Sequence, residues 1–410
     1  MEMISLVTNR NPRISLRILW VDFLILDMHL HKTSRLEILK HLAKRGHHVH
    51  LLALQSKKQY HWNSDIKITA IPLRYFPVIS MVFFGIIVLV YLPFYIIRKK
   101  PDFIIVERNT PFFGFLWKPF LSRFLGFKVI LDIRSTPVDL RKLWGYLKTL
   151  QFNLSVRMAK AMFDGMTTIS NGMRQELSKR FDIDPELIRV RSDGASTELF
   201  TYEENAHYGL KLRKRFGLSN KFIFFYHGAI GRTRGLMECV KAIMLIKAEC
   251  PDSVLFFLGG GPAARDIESL IQKNKIQDRV TVHTPVDYED VPKYIAMCDV
   301  GMVPLPNYPR WRNQWPLKLL EYLAMKRPVI VTDIPANREI VGNKECAIYV
   351  PSSNPIQIAR AMEFAYKNRE KLKDWGESGR EIIDQKHNWD EKAKDLENYL
   401  LEVKSRSSGW

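Results

Sequence analysis

A lysine and a glutamate lie three positions apart in an otherwise apolar stretch, PLKLLEYLA, from Pro316 to Ala324. The apolar residues predict a helix, and the spacing places Lys318 and Glu321 on one side of it, near its first turn. A cation there can meet a diphosphate and a carboxylate can accept ribose hydroxyls, while the helix start favours phosphate by roughly 0.3 to 1 kcal/mol. This pair suits a sugar nucleotide, although an isolated pair at this spacing is more often a surface ion pair.

A glycine-rich turn offers a second anion site. It runs from Gly228 to Gly235, after an apolar strand and before a helix, and it contains Gly231, Arg232 and Arg234. Glycines let the backbone approach an anion closely, and the amides at a helix start donate hydrogen bonds to it. Turns of this kind are common, so the prediction of a diphosphate site depends on Lys318 approaching from another loop. Which of the two arginines does the main work is left open.

Four segments in this order resemble the retaining GT-B glycosyltransferases of group 1, or family 4. They are YHGAIGRTRGL (226–236), LGGGP (258–262), MCDVGMVPL (297–305) and PLKLLEYLAMKRPVIVTD (316–333). The first segment most resembles the branch that makes bacterial and archaeal cell-surface polysaccharides. The resemblance implies an α/β protein with two tandem Rossmann-like domains that face each other across a cleft. It also implies transfer of a sugar from an NDP-sugar to a lipid-linked or growing glycan.

The resemblance also assigns residues. Arg232 and Lys318 match catalytic diphosphate contacts, and His283 matches the loop beside the nucleotide base. Asn313 stands eight positions before Glu321, where many members carry a first glutamate, so stabilisation of the leaving group would supply most of the acceleration. Asn313 or Glu339 could contact sugar hydroxyls, and Gly260 could instead serve a tight turn. The predicted donor-binding residues are Gly231, Arg234, Gly260, His283, Asn313, Pro316, Leu317, Glu321 and Glu339.

In the first half, Asp132 ends the apolar strand VILDI. Binding sites in parallel sheets form at the carboxyl ends of strands, so Asp132 is predicted to contact the acceptor or the donor sugar as a third catalytic residue. Helix capping is the competing interpretation. The segment Asp27 to Lys32 stands where relatives usually have a glycine-rich loop, so the resemblance is weaker on the acceptor side.

Apolar runs of four to seven residues alternate with amphipathic stretches, as in parallel strands linked by helices. This alternation predicts two domains, at 1–205 and 206–388, and composition predicts a polar linker over 201–220. The resemblance implies that the first domain binds the acceptor, that the second binds the nucleotide sugar, and that a helix over 389–410 crosses back to the first. The predicted strands are 17–23, 49–54, 66–71, 103–106, 128–131 and 166–169, then 222–226, 254–258, 280–283, 300–303, 329–332 and 347–350.

Charge points to a membrane surface rather than to nucleic acid. The net charge is +19, and residues 1–200 carry 30 Lys+Arg against 16 Asp+Glu, so most of the excess lies in the first half. No nucleic-acid motif accompanies this charge, which favours an anionic membrane as partner. The spacing of the four cysteines indicates neither a metal site nor disulfides. No metal pattern is formed by the Asp182–Asp184 DxD string or by His47, His48 and His50. No signal peptide is expected. We therefore expect a cytosolic protein with no metal or other cofactor.

The stretch from Tyr75 to Ile97 contains no charged residue and ends at Arg98, Lys99 and Lys100. Its length permits a transmembrane helix, but strands on both sides of it in one sheet would forbid a single crossing. A monotopic helix in the cytosolic leaflet is the preferred interpretation, and a buried helix is the alternative. The expected location is peripheral on the cytosolic face of the membrane.

Two other functions stay open at this point. One is a GT-B enzyme of another class, such as a sugar-nucleotide 2-epimerase, which would turn over its donor without an acceptor. The other is a non-catalytic partner subunit that binds nucleotide without turnover.

Overall fold

The computed structural model describes residues 14–26, 32–55, 66–73, 76–137 and 143–406. These residues form two compact units. Unit 1 contains the described residues up to Thr167, with Phe181–Arg189 and the chain from Ala393 onward. Unit 2 contains Thr168–Arg180 and Val190–Lys392.

The sheet of unit 1 has, within the described residues, seven strands in the order β3-β2-β1-β4-β5-β6-β7. Strand β4 is buried at every position, because a parallel sheet is covered on both faces and its strands are apolar throughout. The strands are β1 (Arg17–Ile25), β2 (His48–Gln55), β3 (Lys67–Pro72), β4 (Phe103–Glu107), β5 (Lys128–Ile133), β6 (Gly165–Thr168) and β7 (Ile188–Val190). The helices in this part of the chain are α1 (Lys32–Lys44), α2 (Pro77–Lys99), α3 (Lys118–Leu125), α4 (Leu143–Met162) and α5 (Asn171–Phe181).

Unit 2 has a parallel sheet of six strands within the described chain, in the order β10-β9-β8-β11-β12-β13. The strands are β8 (Phe222–His227), β9 (Ser253–Leu258), β10 (Val280–His283), β11 (Val300–Val303), β12 (Val329–Thr332) and β13 (Ala347–Val350). The helices are α6 (Tyr202–Arg215), α7 (Leu236–Leu245), α8 (Ala264–Lys273), α9 (Val291–Ala296), α10 (Pro309–Arg312), α11 (Leu317–Ala324), α12 (Pro335–Val341), α13 (Pro355–Lys367) and α14 (Leu372–Ile382). Helix α15 (Trp389–Ser405) begins in unit 2 and belongs to unit 1 from Ala393 onward. The predicted strands of both units are confirmed within two residues of their bounds, while the short β7 was missed.

The predicted linker over 201–220 is wrong, because most of it forms helix α6. This helix packs against α9, and Gly209 faces that contact: a Cβ atom placed on it would lie 2.7 Å from the carbonyl carbon of Ala296. Arg213 donates to the carbonyl oxygens of Met297 and Lys221 and pairs with Asp299 at 2.8 Å. A small residue and an arginine make the contact, which is why apolar periodicity did not reveal the helix.

Helix α2 has one buried and one exposed apolar face. Phe84, Val88, Leu92 and Ile96, four apart, are fully buried in unit 1. The opposite face, called the α2 stripe below, consists of Ile79, Phe83, Ile86, Val90, Phe94 and Ile97, all exposed large apolar side chains. The helix is long and apolar enough to cross a membrane, with a mean hydropathy of 2.4. It connects β3 to β4 of the same parallel sheet, so a single crossing is incompatible with the fold. Of the flanking residues, Arg74 and Tyr75 lie outside the described chain.

The tight contact of α6 gives a stability prediction. Replacing Gly209 by leucine should lower the free energy of unfolding by about 1 to 3 kcal/mol, because the new side chain collides with the backbone of α9 even though leucine favours helix formation. The neighbouring Leu210→Ala, at an exposed position, should change it by less than about 0.5 kcal/mol. Urea denaturation of both variants measures this, and equal, negligible effects would contradict the packed helix.

Candidate functional site

The candidate site lies in unit 2, where β8 ends and α11 begins. Gly228 follows β8 with a φ of +104°, a backbone conformation that side chains rarely adopt. Its carbonyl oxygen would lie 2.0 Å from a Cβ atom on Gly259, and the oxygen of Ile230 would lie 2.5 Å from one on Gly261. The two glycine-rich loops thus pack backbone against backbone, which requires glycine at both positions.

Lys318 is a buried lysine whose amine lies over an aromatic ring. Its side chain is 9% exposed, and its Nζ lies 3.7 Å from the ring centroid of Tyr226. In the described part of the chain no carboxylate lies within 4.0 Å of this ammonium group. Burial, with Arg234 as a second cation nearby, lowers the pKa of Lys318 well below its ordinary value. An anionic ligand beside this amine would therefore favour its protonated form.

The two candidate arginines of the glycine-rich turn point to different surroundings. Arg234 is half-buried, with its guanidinium 5.1 Å from the ring of Trp311, and it is the arginine whose charge acts on Lys318. Arg232 is exposed and pairs with Asp266 at 2.7 Å. The geometry brings together Lys318 and Arg234 and leaves Arg232 outside this pair. A diphosphate contact by Arg232 stays a prediction.

Glu321 is buried on α11, three residues after Lys318. Its Oε1 accepts from the Tyr288 hydroxyl at 3.1 Å, and its Oε2 lies 3.2 Å from Nε2 of His227. Burial raises the pKa of Glu321 to about 7, and the hydroxyl of Tyr288 and the charge of Lys318 only partly oppose this. The pKa of His227 is lowered well below its ordinary value by burial and by Lys318, so the imidazole is neutral. A ligand hydroxyl that donates to Glu321 would therefore favour its ionised form.

Tyr322 fixes the start of α11 against the sheet. Its hydroxyl donates to the carbonyl oxygen of Phe225 at 3.0 Å and accepts from the His227 amide at 3.2 Å. A side chain on Gly301 would collide with the ring, so that glycine makes room for it. Pro316 precedes α11 with a φ of −83° and Leu317 opens the helix, so both set the direction in which Lys318 and Glu321 leave it.

Asn313 and Glu339 contact the segment at the start of α5, which belongs to unit 2. Asn313 Nδ2 donates to Glu176 at 2.9 Å, and Ser170 donates to the Asn313 carbonyl oxygen at 2.7 Å. Glu339 accepts from the side-chain amide of Asn171 at 2.7 Å. These contacts give both residues a packing role in the protein as it stands, and sugar contacts by them stay predictions.

The other predicted donor residues surround the two loops. Gly260 accepts from the Ile230 amide at 2.9 Å, and a Cβ atom on Gly260 would lie 3.2 Å from Pro285. The ring of His283 packs among aromatic rings, with that of Phe216 5.4 Å away, and its Nδ1 lies 2.9 Å from the Thr284 carbonyl oxygen. Gly231 lies beside the side chain of Arg234. The loops thus hold each other, and their contribution to nucleotide binding stays a prediction.

In unit 1 the carboxylate of Asp132 is 1% exposed. One oxygen accepts from Arg35 at 2.8 Å and the other from the Thr167 hydroxyl at 2.7 Å. Arg35 also pairs with Asp22, which places a buried ionic cluster at the carboxyl end of this sheet. A sugar contact by Asp132 stays a prediction, and the observed contacts give it the role of positioning Arg35. The segment Asp27 to His31 lies outside the described residues.

Sequence reasoning missed His227, Tyr288 and Tyr226 as members of the site. The signal for His227 was a polar residue at the carboxyl end of the apolar strand FIFFYH. Tyr288 lies in a turn 33 residues before Glu321, and nothing in the local pattern linked it to that carboxylate. In the described chain no group of three or more His, Cys, Asp or Glu residues could hold a metal ion. Of the Asp182–Asp184 string, Asp184 accepts from the Glu186 amide in a short turn.

Two family models match most of the chain. Residues 33–199 match Glycosyltransferase Family 4, and residues 210–382 match Glycosyl transferases group 1. HepE of Anabaena, solved in complex with UDP, superposes with a TM-score of 0.71 at 13% identity, over 94% of this chain and 100% of that chain. The fold is therefore GT-B, as predicted. The chain belongs to the group 1 glycosyltransferases of the GT-B fold.

Two curated relatives have more specific names. The alpha-D-kanosaminyltransferase of Streptomyces kanamyceticus is 24% identical over 250 residues, 59% of this chain and 62% of that protein. The GDP-mannose-dependent alpha-(1-6)-phosphatidylinositol monomannoside mannosyltransferase of Mycobacterium tuberculosis is 23% identical over 239 residues, 58% of this chain and 61% of that protein. The chain thus spans about three fifths of the length of these relatives.

The unpaired cation predicts a trade-off between stability and function. Lys318→Met should raise the free energy of unfolding of the nucleotide-free protein by about 1 to 3 kcal/mol, because burying the charge costs more than its contact with Tyr226 returns. The same variant should lose nucleoside diphosphate binding. Lys326→Met is the control, since Lys326 is paired with Glu203 and Glu377 and its loss should not stabilise the protein. Differential scanning calorimetry decides, and a lower Tm for Lys318→Met would contradict the assignment.

Glu321 predicts a pH dependence of nucleotide affinity. Its pKa of about 7 exceeds the ordinary 4.5, so this group destabilises the free protein as pH rises from about 4.5 to about 7. Ribose hydroxyls favour the carboxylate, so affinity for a nucleoside diphosphate should fall by up to about tenfold between pH 8 and pH 6. Besides burial, Tyr288, Lys318 and Asp193 act on the pKa of this carboxyl, and the neighbouring His227 is neutral throughout.

Isothermal titration calorimetry across this pH range measures the effect. Glu321→Gln is the control, because titration of the ligand phosphate affects its binding and that of the wild type equally. This variant should bind the nucleotide more weakly, and its affinity should change less with pH. An identical pH profile in the wild type and in Glu321→Gln would rule out the ribose contact.

Proposed function

We propose that this protein is a retaining glycosyltransferase that moves a sugar from an NDP-sugar to a lipid-linked or growing cell-surface glycan. The observation that carries this proposal is the arrangement of Lys318, Arg234 and the buried Glu321 at the strand ends of unit 2, where neither basic side chain has a carboxylate within 4.0 Å in the described chain. A nucleoside diphosphate presents the matching groups, since its phosphates are anionic and its ribose offers two hydroxyl donors. Family membership supports the reaction class.

The chemistry follows from the charge that develops in the reaction. As the bond from the sugar C1 to the β-phosphate oxygen breaks, negative charge grows on the departing diphosphate. Lys318 and Arg234 stabilise that charge, and because Lys318 is already desolvated, little reorganisation accompanies the reaction. The acceptor hydroxyl attacks C1 from the face that the diphosphate leaves, and its proton passes to the departing phosphate oxygen. The sugar configuration is retained, and the nucleoside diphosphate is released.

The residues of the site divide this work. Glu321, held by Tyr288 and close to the neutral His227, accepts the ribose hydroxyls and fixes the nucleotide. Lys318 and Arg234 act on the diphosphate, and neither step uses a metal ion, so we expect turnover to survive chelation. Binding of the nucleotide thus positions the sugar C1 for attack by the acceptor. The proposed reaction uses no carboxylate nucleophile.

The proposed acceptor side is unit 1, which would sit on the cytosolic face of a membrane. The exposed α2 stripe and the positive charge of the first half support this location. The acceptor in the name of the mycobacterial relative is a phosphatidylinositol monomannoside, which is a lipid. A lipid-linked acceptor would be delivered from the same surface that holds the enzyme.

A donor screen followed by product analysis tests this function. UDP- and GDP-sugars are ranked by thermal shift, turnover is measured with lipid-linked and glycan acceptors, and NMR assigns the anomer of the product. Arg234→Ala should lower kcat by about 10² to 10³, as expected for loss of a contact made to developing charge. Arg232→Ala, which removes an exposed arginine of the same turn, should have a much smaller effect on kcat.

Other results would point elsewhere. An inverted product anomer would overturn the retaining mechanism. Donor turnover without any acceptor would indicate an epimerase-like enzyme, and nucleotide binding without turnover of any donor would indicate a non-catalytic subunit. A larger loss in Arg232→Ala than in Arg234→Ala would assign the diphosphate contact to Arg232.

A further inference from the structure

Trp311 connects the short helix α10 to the glycine-rich turn of the candidate site. Its side chain is buried, and its indole Nε1 donates to the carbonyl oxygen of Thr233 at 3.1 Å. Thr233 immediately precedes Arg234, whose guanidinium carbon lies over the Trp311 ring, 5.1 Å from the ring centroid. One side chain thus contacts both the backbone before Arg234 and the charged end of Arg234. All three residues belong to unit 2.

The peptide bond between Thr233 and Arg234 is held at both of its polar groups. Its carbonyl oxygen accepts the indole hydrogen bond, and its N–H group donates to the carbonyl oxygen of Gly231 at 3.3 Å. Because a peptide unit is planar, these two contacts fix its orientation. The next residue, Gly235, has a φ of +76°, and a Cβ atom on it would lie 2.0 Å from the carbonyl oxygen of Pro304. The backbone is therefore held on both sides of Arg234, which sets the direction in which its side chain leaves the turn.

The aromatic face of Trp311 holds the Arg234 guanidinium without neutralising it. A cation within about 6 Å of a ring centroid is attracted by the quadrupole of the ring, and tryptophan attracts it most strongly. A carboxylate would instead accept hydrogen bonds from the N–H groups that bind phosphate oxygens in pairs. Arg234 forms no ion pair with a carboxylate of the described chain. The indole therefore supports this side chain and leaves its charge for an anionic ligand.

The same arrangement occurs a second time, at Lys318. Its Nζ lies 3.7 Å from the ring centroid of Tyr226, and the Tyr226 hydroxyl donates to the carbonyl oxygen of Ala229 at 2.8 Å. Ala229 and Thr233 both belong to the glycine-rich turn. Each basic side chain of the site therefore lies over a ring whose polar atom binds the backbone of that turn. This repetition, built from two different residue types, indicates that the rings serve the basic groups and do not only fill space.

We propose that Trp311 is a positioning residue, which fixes the turn that carries Arg234 and orients the guanidinium for the diphosphate. This inference rests on the proposed function, in which Arg234 stabilises the charge of the departing diphosphate. Trp311 acts through Arg234 and not on the diphosphate itself. The guanidinium carbon of Arg310 lies 5.4 Å from the centroid of the same ring, so Arg310 is the alternative residue that the ring could serve.

A double-mutant cycle of Trp311→Leu and Arg234→Ala tests this inference. The rate constant kcat is measured with the donor and acceptor that give turnover in the donor screen. Trp311→Leu should lower kcat at least about tenfold when Arg234 is present, but less than about twofold when it is alanine, because the group to be positioned is then absent. Trp311→Phe, which keeps a ring and loses only the Nε1 donor, should lower kcat about two- to fivefold with Arg234 present. The control Trp375→Leu, which removes an indole stacked on Phe364, should combine additively with Arg234→Ala.

The outcomes separate this inference from the proposed function. Near-normal kcat in Arg234→Ala would overturn the diphosphate role of Arg234 and leave Trp311 no group to position. If Arg234→Ala is impaired, independent losses in the two single variants would overturn the positioning role alone. Coupling of Trp311→Leu to Arg310→Ala, without coupling to Arg234→Ala, would overturn it as well. Should Trp311→Leu fail to fold, Trp311→Phe completes the same cycle, and an equal loss with and without Arg234 would count against the inference.

Discussion

The burial of the Lys318 amine, which has no carboxylate within 4.0 Å in the described chain, is the feature on which the functional site depends. Removing the Lys318 amine from water without a carboxylate partner is unfavourable. The fold maintains this arrangement because α11 is held against the sheet. Tyr322 reaches two strands at once, and Gly301 leaves room for its ring. Gly228 keeps the space beside the ammonium open to ligand. The sheet, the two glycine-rich loops and the start of α11 together hold the Lys318 amine in place. Locally unfavourable arrangements that the surrounding structure maintains are common at functional sites.

The two units place polar groups at strand ends in different ways. In unit 1 the cluster of Asp22, Arg35 and Asp132 is internally paired, so its charges satisfy one another. In unit 2 Lys318 and Arg234 are left unsatisfied by carboxylates of the described chain. The first arrangement stabilises an edge of a sheet, and the second is suited to bind an anion. Polar residues at strand ends can therefore serve packing in one unit and ligand binding in the other.

The sequence was sufficient where a short pattern decides the structure. Apolar runs located the strands, and the run PLKLLEYLA correctly located helix α11, which carries both Lys318 and Glu321. It was insufficient where distant parts of the chain meet. The choice between Arg232 and Arg234 depends on the course of a turn, and the partners of Asn313 and Glu339 come from a segment more than 130 residues earlier. Helix α6 escaped notice because a glycine, rather than an apolar stripe, makes its closest contact.

The unpaired cation also has a consequence for the enzyme in a cell. In the proposed reaction Lys318 and Arg234 bind the diphosphate, a group that the donor and the released nucleotide share. An empty site would therefore bind the product nucleoside diphosphate as well as the NDP-sugar donor. The product carries no sugar to transfer, so it would act as a competitive inhibitor. The rate in vivo would accordingly follow the ratio of the two nucleotides rather than the donor concentration. Hydrolysis of the spent diphosphate by another enzyme would then keep synthesis running in one direction.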